Sequence, residues 1–341
     1  PRCCTELLDT FSARAPSLEL RAMPHKFNAE RRHKFAAARF RVTNWRDYNE
    51  ALRRRGDVTV WFDESAARSW RAPRRKGPGG QPVYSDVAIE VCLTLRSVFR
   101  LPLRQAQGLV RSLLQLMELE LPTPDFSTFS RRSKGLKIES KSHGSIGSIA
   151  LVVDSTGLRI HRGSGWCADK HGADKTRKSW RKLHIGIDRD SREIVSSLLT
   201  TEHIGDETAL PDLIAGVDVP FARLLADGAY DGTDVFTALR AKFGPEVEVI
   251  IPPPRSAVLG LYGQRDAHIR TIAERGRMAW QAETGYNFRA LVEAQIGRWK
   301  TVLGDGLKSR SIDTQTAEVQ IGAKALNRMT TLGRAAFERV T

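Results

Sequence analysis

Leu151-Val152-Val153-Asp154-Ser155-Thr156-Gly157 decides the fold. Three apolar residues followed abruptly by a carboxylate read as a buried strand ending at Asp154, with the carboxylate at the edge of a sheet rather than in its interior. Leu224-Leu225-Ala226-Asp227-Gly228-Ala229-Tyr230-Asp231 repeats the pattern: a short apolar strand, an Asp, then a glycine-bearing turn. Two strand-end carboxylates on neighbouring strands can share a divalent cation. Either one alone is ordinary, because Asp at a strand end usually forms a turn or caps a helix.

Working outward, the chain reads as strands at Ile149–Val153, Gly157–His161, Leu183–Asp188, Glu193–Leu199, Leu224–Ala226 and Val247–Ile251. Helices are expected at 207–216, 231–243, about 264–283 and 286–303. A run of strands that then alternates with helices implies an α/β architecture, a mixed sheet flanked by helices, and an RNase H-like core is one arrangement that fits. The third ligand is Glu293. On a single helix from Tyr286, the residues Tyr286, Arg289, Glu293 and Lys300 fall within about 60° of one another, at about 100° per residue. Phe288, Val292, Ile296, Trp299 and Leu303 form a separate apolar stripe that packs the helix on the sheet. An ordinary i,i+4 ion pair between Arg289 and Glu293 is the plainer reading of the polar stripe.

Before the strands lies a basic region. Residues 24–81 carry 15 basic and 6 acidic side chains. Periodicity predicts helices through Val87–Phe99 and Leu103–Met117, then a shorter one opening at Thr123-Pro124 and running through Phe126, Phe129, Arg131 and Arg132. The pair at about 101–132 suits a helix-turn-helix whose second helix enters a major groove, or equally a plain αα-hairpin. The expected division is a leader at 1–23, a mainly helical DNA-binding domain at 24–143, a catalytic domain at 144–303 and a helical tail at 304–341.

Lys and Arg number 54 against 39 Asp and Glu, a formal charge of +15 that favours a polyanionic partner. Residues 162–182 hold 7 basic side chains against 2 acidic ones beside Asp154, so Lys178, Arg181 and Lys182 are candidates for DNA-backbone contact. Four cysteines without paired spacing imply no disulfide framework. No apolar run nears the ~20 residues needed to span a bilayer, so a soluble, cytoplasmic protein without a membrane partner is expected, nucleoid-associated when bound to DNA. His184 reads as structural; Asp188, His203, Asp206 and Asp231 read as supporting or capping residues.

Together these residues resemble a family. Asp154-Ser155-Thr156-Gly157-Leu158 with Lys178-Ser179-Trp180-Arg181-Lys182-Leu183-His184, then Ala226-Asp227-Gly228-Ala229-Tyr230-Asp231, then Tyr-x2-Arg-x3-Glu-x6-Lys at 286–300, occur in the order found in bacterial insertion-sequence transposases of the DDE class, specifically the insertion-sequence-five family. The resemblance runs from about Lys26 to Gly333. It implies that Asp154, Asp227 and Glu293 are the catalytic, metal-binding triad, and that Tyr286, Arg289 and Lys300 contact DNA phosphates. It also implies binding to terminal inverted repeats of double-stranded DNA, action on target DNA, and assembly of a homo-oligomer on DNA. Oxygen-only ligands suit Mg²⁺, with Mn²⁺ as a substitute, for strand cleavage and strand transfer by in-line phosphoryl transfer. A sequence-specific regulator would explain the charge but leave the carboxylates idle; a nuclease of RNase H type would share the chemistry without the joining step.

Overall fold

The computed structural model describes residues 39–136, 138, 148–160, 180–217, 219–260 and 263–340. The leader expected at 1–23, Lys178 and most of the basic 162–182 segment lie outside the described residues. Two units are present, Pro1–Arg46 with Ala335–Thr341, and Asp47–Arg334. In the first, strand β1 (Arg39–Val42) pairs antiparallel with β8 (Phe337–Val340), Arg39 opposite Val340.

The second unit is built on a mixed sheet of β2 (Ile149–Ile160), β3 (Trp180–Asp188), β4 (Ile194–Thr201), β5 (Phe221–Leu225), β6 (Glu248–Ile250) and the short β7 (Gly306–Leu307). The order is β4-β3-β2-β5-β6, with β7 also on β2. β4, β3 and β2 form an antiparallel meander, while β5, β6 and β7 are parallel to β2 or to one another. An antiparallel 3-2-1 meander continued by two parallel strands, with helices covering the sheet, is an RNase H-like core.

Period-two alternation sorts β2 between the faces. Val152 and Leu158 join a core with Ile185, Ile187, Val292, Trp299 and Leu326. Leu151 and Val153 join another with Leu210, Leu213, Val235, Phe236 and Leu239. The N-terminal helices Asp86–Val98, Leu103–Leu116 and Phe126–Arg132 contribute Ile89, Leu95, Val110 and Phe129 to the first core, which they share with the sheet. Ser85 and Asp125 cap two of them, accepting from the backbone N–H groups of Ala88 and Ser127.

Several sequence expectations change. The stretches at 149–153 and 157–161 are one continuous strand, so Asp154 stands inside a strand rather than at its end. The helix expected at 264–283 is two, Gly263–Arg275 and Arg277–Thr284, broken at Gly276 with φ +82°. The helix expected at 286–303 begins as a 3₁₀ turn, Tyr286–Arg289, and becomes α-helical only over Ala290–Val302. Past 303 the chain first adds β7 to the sheet; the helix Ile312–Leu332 then packs on β4. That helix closes the free edge of β4 through Asn327, which accepts from the Ile194 N–H at 2.7 Å and donates to its carbonyl at 2.8 Å. Among the described residues no helix is long and apolar enough to cross a membrane.

Candidate active site

The position of Asp154 follows from how β2 is paired. On one side β3 accompanies it from Leu151 to Arg159, with Asp154 opposite Ile185. On the other, β5 leaves it at Val152 opposite Leu225, and β7 joins only at Arg159 opposite Gly306. Residues 153–158 therefore border a notch in the sheet. Asp154 belongs to the face of Val152, the face on which the Ala290–Val302 helix packs; its Oδ1 accepts from the Ser155 N–H at 2.8 Å. Where β5 stops, Asp227 caps the 3₁₀ turn Gly228–Tyr230, accepting from the Ala229 N–H at 2.9 Å. Its strand-end reading thus holds, whereas that of Asp154 does not.

The third carboxylate arrives from the far side. Gly285, with φ +69°, ends the Arg277–Thr284 helix in a left-handed conformation and turns the chain into Tyr286–Arg289. Glu293 follows in the first turn of the next helix, where the helix dipole favours a negative charge. Arg289 joins the pieces: its Nη1 lies 3.2 Å from Asp154 Oδ2, and its Nη2 bonds Glu293 Oε1. One guanidinium thus stands between the first and third carboxylates.

The electrostatics show crowding of negative charge. Asp154 is held above the usual carboxylate range, chiefly by burial and further by Asp227 and Glu293, against the Ser155 N–H and Arg289. Burial works against the charge on Arg289, but Tyr286, Asp154, Glu293 and Asp227 outweigh it and keep it firmly protonated. Burial also raises the Tyr286 phenol, with Asp227 and Asp154 adding to the effect. Among the described residues no three His, Cys, Asp or Glu side chains converge closely enough to hold a metal ion. The donor chemistry nevertheless fits a hard divalent cation: three carboxylates, oxygen ligands only, one cation between them. A metal bound between Asp154 and Glu293 would take the place Arg289 now fills.

The remaining candidates divide. Lys300 is exposed on the same helix as Glu293, about 10 Å further along its axis. Arg131 is exposed on Phe126–Arg132, whereas Arg132 is engaged inside the fold, donating to the Tyr84 carbonyl at 3.1 Å and to Asp86 at 2.5 Å. Arg181 donates to Gln315, and Lys182 to the Ile204 carbonyl while lying 3.3 Å from Asp206.

Two supports stand behind the site, of which the sequence reading named only Asp231 as a supporting or capping residue. Trp280, wholly buried, donates from Nε1 to His268 Nδ1 at 2.9 Å, His268 Nε2 donates to the Val249 carbonyl at 3.0 Å, and the Trp280 ring packs on Tyr286 at 5.2 Å. The other is the buried pair Asp231–Arg265, doubly bonded at 2.9 Å with Arg265 Nη1 also donating to the Val258 carbonyl. It fixes the chain just past Asp227. Below the notch, His184 is buried opposite Ser155, its Nε2 2.9 Å from Thr200 Oγ1 and its Nδ1 3.4 Å from Asp206. Burial pushes its imidazole down to about 4, against the pull of Asp206.

Comparison with known proteins gives two family matches. Residues 53–163 match one family model and residues 146–329 a second, and both models are described as a transposase DDE domain. Among solved structures, a piggyBac transposase synaptic complex with hairpin DNA is similar at a TM-score of 0.32 and 8% identity, over 85% of this chain and 76% of that one.

Proposed function

The chain belongs to the transposase DDE-domain family, and on that premise we propose that it binds the terminal inverted repeats of an insertion sequence and carries out both DNA strand cleavage and strand transfer. Membership makes it a polynucleotidyl-transferase-type enzyme that uses divalent metal ions. Asp154, Asp227 and Glu293 are the proposed ligands, with Mg²⁺ the proposed ion and Mn²⁺ its substitute. The observation that carries the reading is the notch: Asp154 and Asp227 beside a strand gap and Glu293 delivered by a helix, with Asp227 and Glu293 both acting electrostatically on Asp154 and Arg289 bonding Asp154 and Glu293.

Bound there, divalent metal would activate the attacking oxygen and stabilise the leaving one in an in-line displacement. The protein's own part is positioning and charge. Arg289, released from the carboxylates, turns to a DNA phosphate; Tyr286, braced by Trp280, and Lys300 flank it on the same approach. Lys178, Arg181 and Lys182 are further proposed contacts to the DNA backbone, as are Arg131 and Arg132 of the N-terminal region. Division into an N-terminal DNA-binding part, a catalytic part at 144–303 and a C-terminal helix, and assembly as a homo-oligomer on DNA, complete the proposal. No Ser, Cys or Tyr nucleophile is required, because water and then a DNA 3′-OH are the attacking groups.

The test compares the protein with Asp154→Asn, Asp227→Asn and Glu293→Gln variants on labelled DNA bearing the element's ends, with Mg²⁺, Mn²⁺ or EDTA. The expected result is metal-dependent cleavage and joining that every variant loses while end binding survives. End binding without cleavage in the unaltered protein would instead favour a regulator, and cutting without joining at unrelated sequences a nuclease.

A further inference from the structure

A second site lies away from the carboxylates. A groove of about 1210 Å³ runs between the Asp86–Val98, Leu103–Leu116 and Phe126–Arg132 helices and the segment 303–314 that carries β7. Arg96, Arg100, Arg104, Arg131, Lys308 and Arg310 line it, and its one lining acid, Asp305, is already paired with Arg159.

Three details separate this groove from an ordinary solvated basic face. Arg96 is only 8% exposed, and its Nε has no hydrogen-bond partner among the described residues, although a buried donor left unpaired costs about 1–3 kcal/mol. Lys308 is lowered below the usual lysine range by burial and by the repulsion of Arg96 and Arg100, only partly offset by Glu318. Arg100 stands where a glycine normally ends a helix, at φ +53°, a conformation that costs a side-chain-bearing residue about 1–2 kcal/mol. One buried cation, Arg96, set among exposed cations that repel one another and held at such cost, calls for an anion with many charges on one track.

We propose that this groove carries the phosphate backbone of duplex DNA flanking the strand position where cleavage occurs, an inference that rests on the function proposed above. Geometry sets the span. β2 runs from Asp154 to Ile160, where Leu307 of the groove pairs with it, and six residues of strand cover about 20 Å. At 3.4 Å per nucleotide that is about six base pairs from the carboxylates. The contact is to phosphates, so it is independent of base sequence. Arg131 then serves this track from the N-terminal helices, a role distinct from reading bases in a major groove.

The decisive measurement is binding of a random-sequence duplex of about 30 base pairs as a function of salt, for the full chain and an Arg104→Gln/Arg131→Gln/Arg310→Gln triple variant. Loss of three phosphate contacts reduces the magnitude of the log–log salt slope by about 2.7, so the affinity ratio between 50 and 200 mM salt shrinks about 40-fold. The triple Lys variant at the same positions keeps the slope, which separates charge from folding damage. A glutamine variant with the unaltered slope overturns the groove assignment, even where metal-dependent cleavage by the unaltered protein upholds the active site. Equal loss of slope in the lysine variant also overturns it. A lost slope restored by lysine establishes the groove whether or not cleavage is seen.

Discussion

Acidification should loosen the floor of the notch, and the size of the effect follows from His184. This imidazole is fully buried on β3, opposite Ser155, with Thr200, Asp206 and Lys182 as its polar neighbours. Burial opposes its protonation most strongly and Lys182 adds to that, while Asp206 favours the charged form; the balance places it at about 4 against an ordinary 6.5. The folded pKa is depressed, so the unfolded chain takes up a proton first. Stability is complete above pH 6.5 and is lost as pH falls from 6.5 towards 4. At 1.36 kcal/mol per pKa unit the full loss is about 3 kcal/mol, of which about 2 kcal/mol has gone by pH 5. His184→Gln keeps a group able to bond Thr200 but does not titrate. Urea unfolding at pH 7 and pH 5 should therefore show the unaltered protein losing about 2 kcal/mol more than the variant, with the other titrating groups largely cancelling in the difference. An NMR titration of the ring proton should give a midpoint well under 5.5. Equal acid losses in the two proteins, or a midpoint near 6.5, would refute the argument and place His184 in contact with solvent.

Other expectations bear on the carboxylates. Asp154→Asn should cut cleavage by two to three orders of magnitude while leaving the melting temperature unchanged or raised, because it removes a desolvated charge crowded by Asp227 and Glu293; a melting temperature lowered by several degrees would contradict that crowding. Arg289→Gln removes the cation held between Asp154 and Glu293, and should tighten Mn²⁺ binding, measured by calorimetry without DNA, by about tenfold or more, whereas weaker Mn²⁺ binding would mean that Arg289 organises the ligands rather than competing for them. Gly285→Ala forces a side chain into φ +69°, with its Cβ 3.4 Å from the Phe288 ring. It should cost about 1–2 kcal/mol in thermal unfolding and displace Tyr286 and Arg289 together; unchanged stability would show that the turn relaxes freely.

The face a residue takes was easier to read from sequence than where its element stops. A continuous apolar run placed Leu151–Val153 in a buried strand, and the glycine-bearing turn placed Asp227 at a strand end. Asp154 was misjudged because a carboxylate after an apolar run looks like a strand terminus, yet β3 supplies partners for nine residues from Leu151 to Arg159, whatever side chains they carry. What Asp154 actually marks is the point where a different neighbour, β5, has departed. That is a property of pairing between segments about 70 residues apart, and no local pattern contains it. In the 286–303 helix Val292, Ile296 and Trp299 are buried as the apolar stripe requires, and only its first turn departs from the reading, for a related reason. Its spacing suits one helix, but Gly285 in a left-handed conformation tightens the first turn to 3₁₀, which carries Phe288 to 46% exposure and off the apolar stripe. Arg289 thereby reaches Asp154 as well as Glu293, where an undistorted helix offered only the i,i+4 partner. The groove is the least legible of all, because Arg96 and Lys308 lie more than two hundred residues apart and become neighbours only when β7 docks on β2. Charge totals favoured a polyanionic partner; the register of β7 on β2 supplies the adjacency on which the proposed second surface rests.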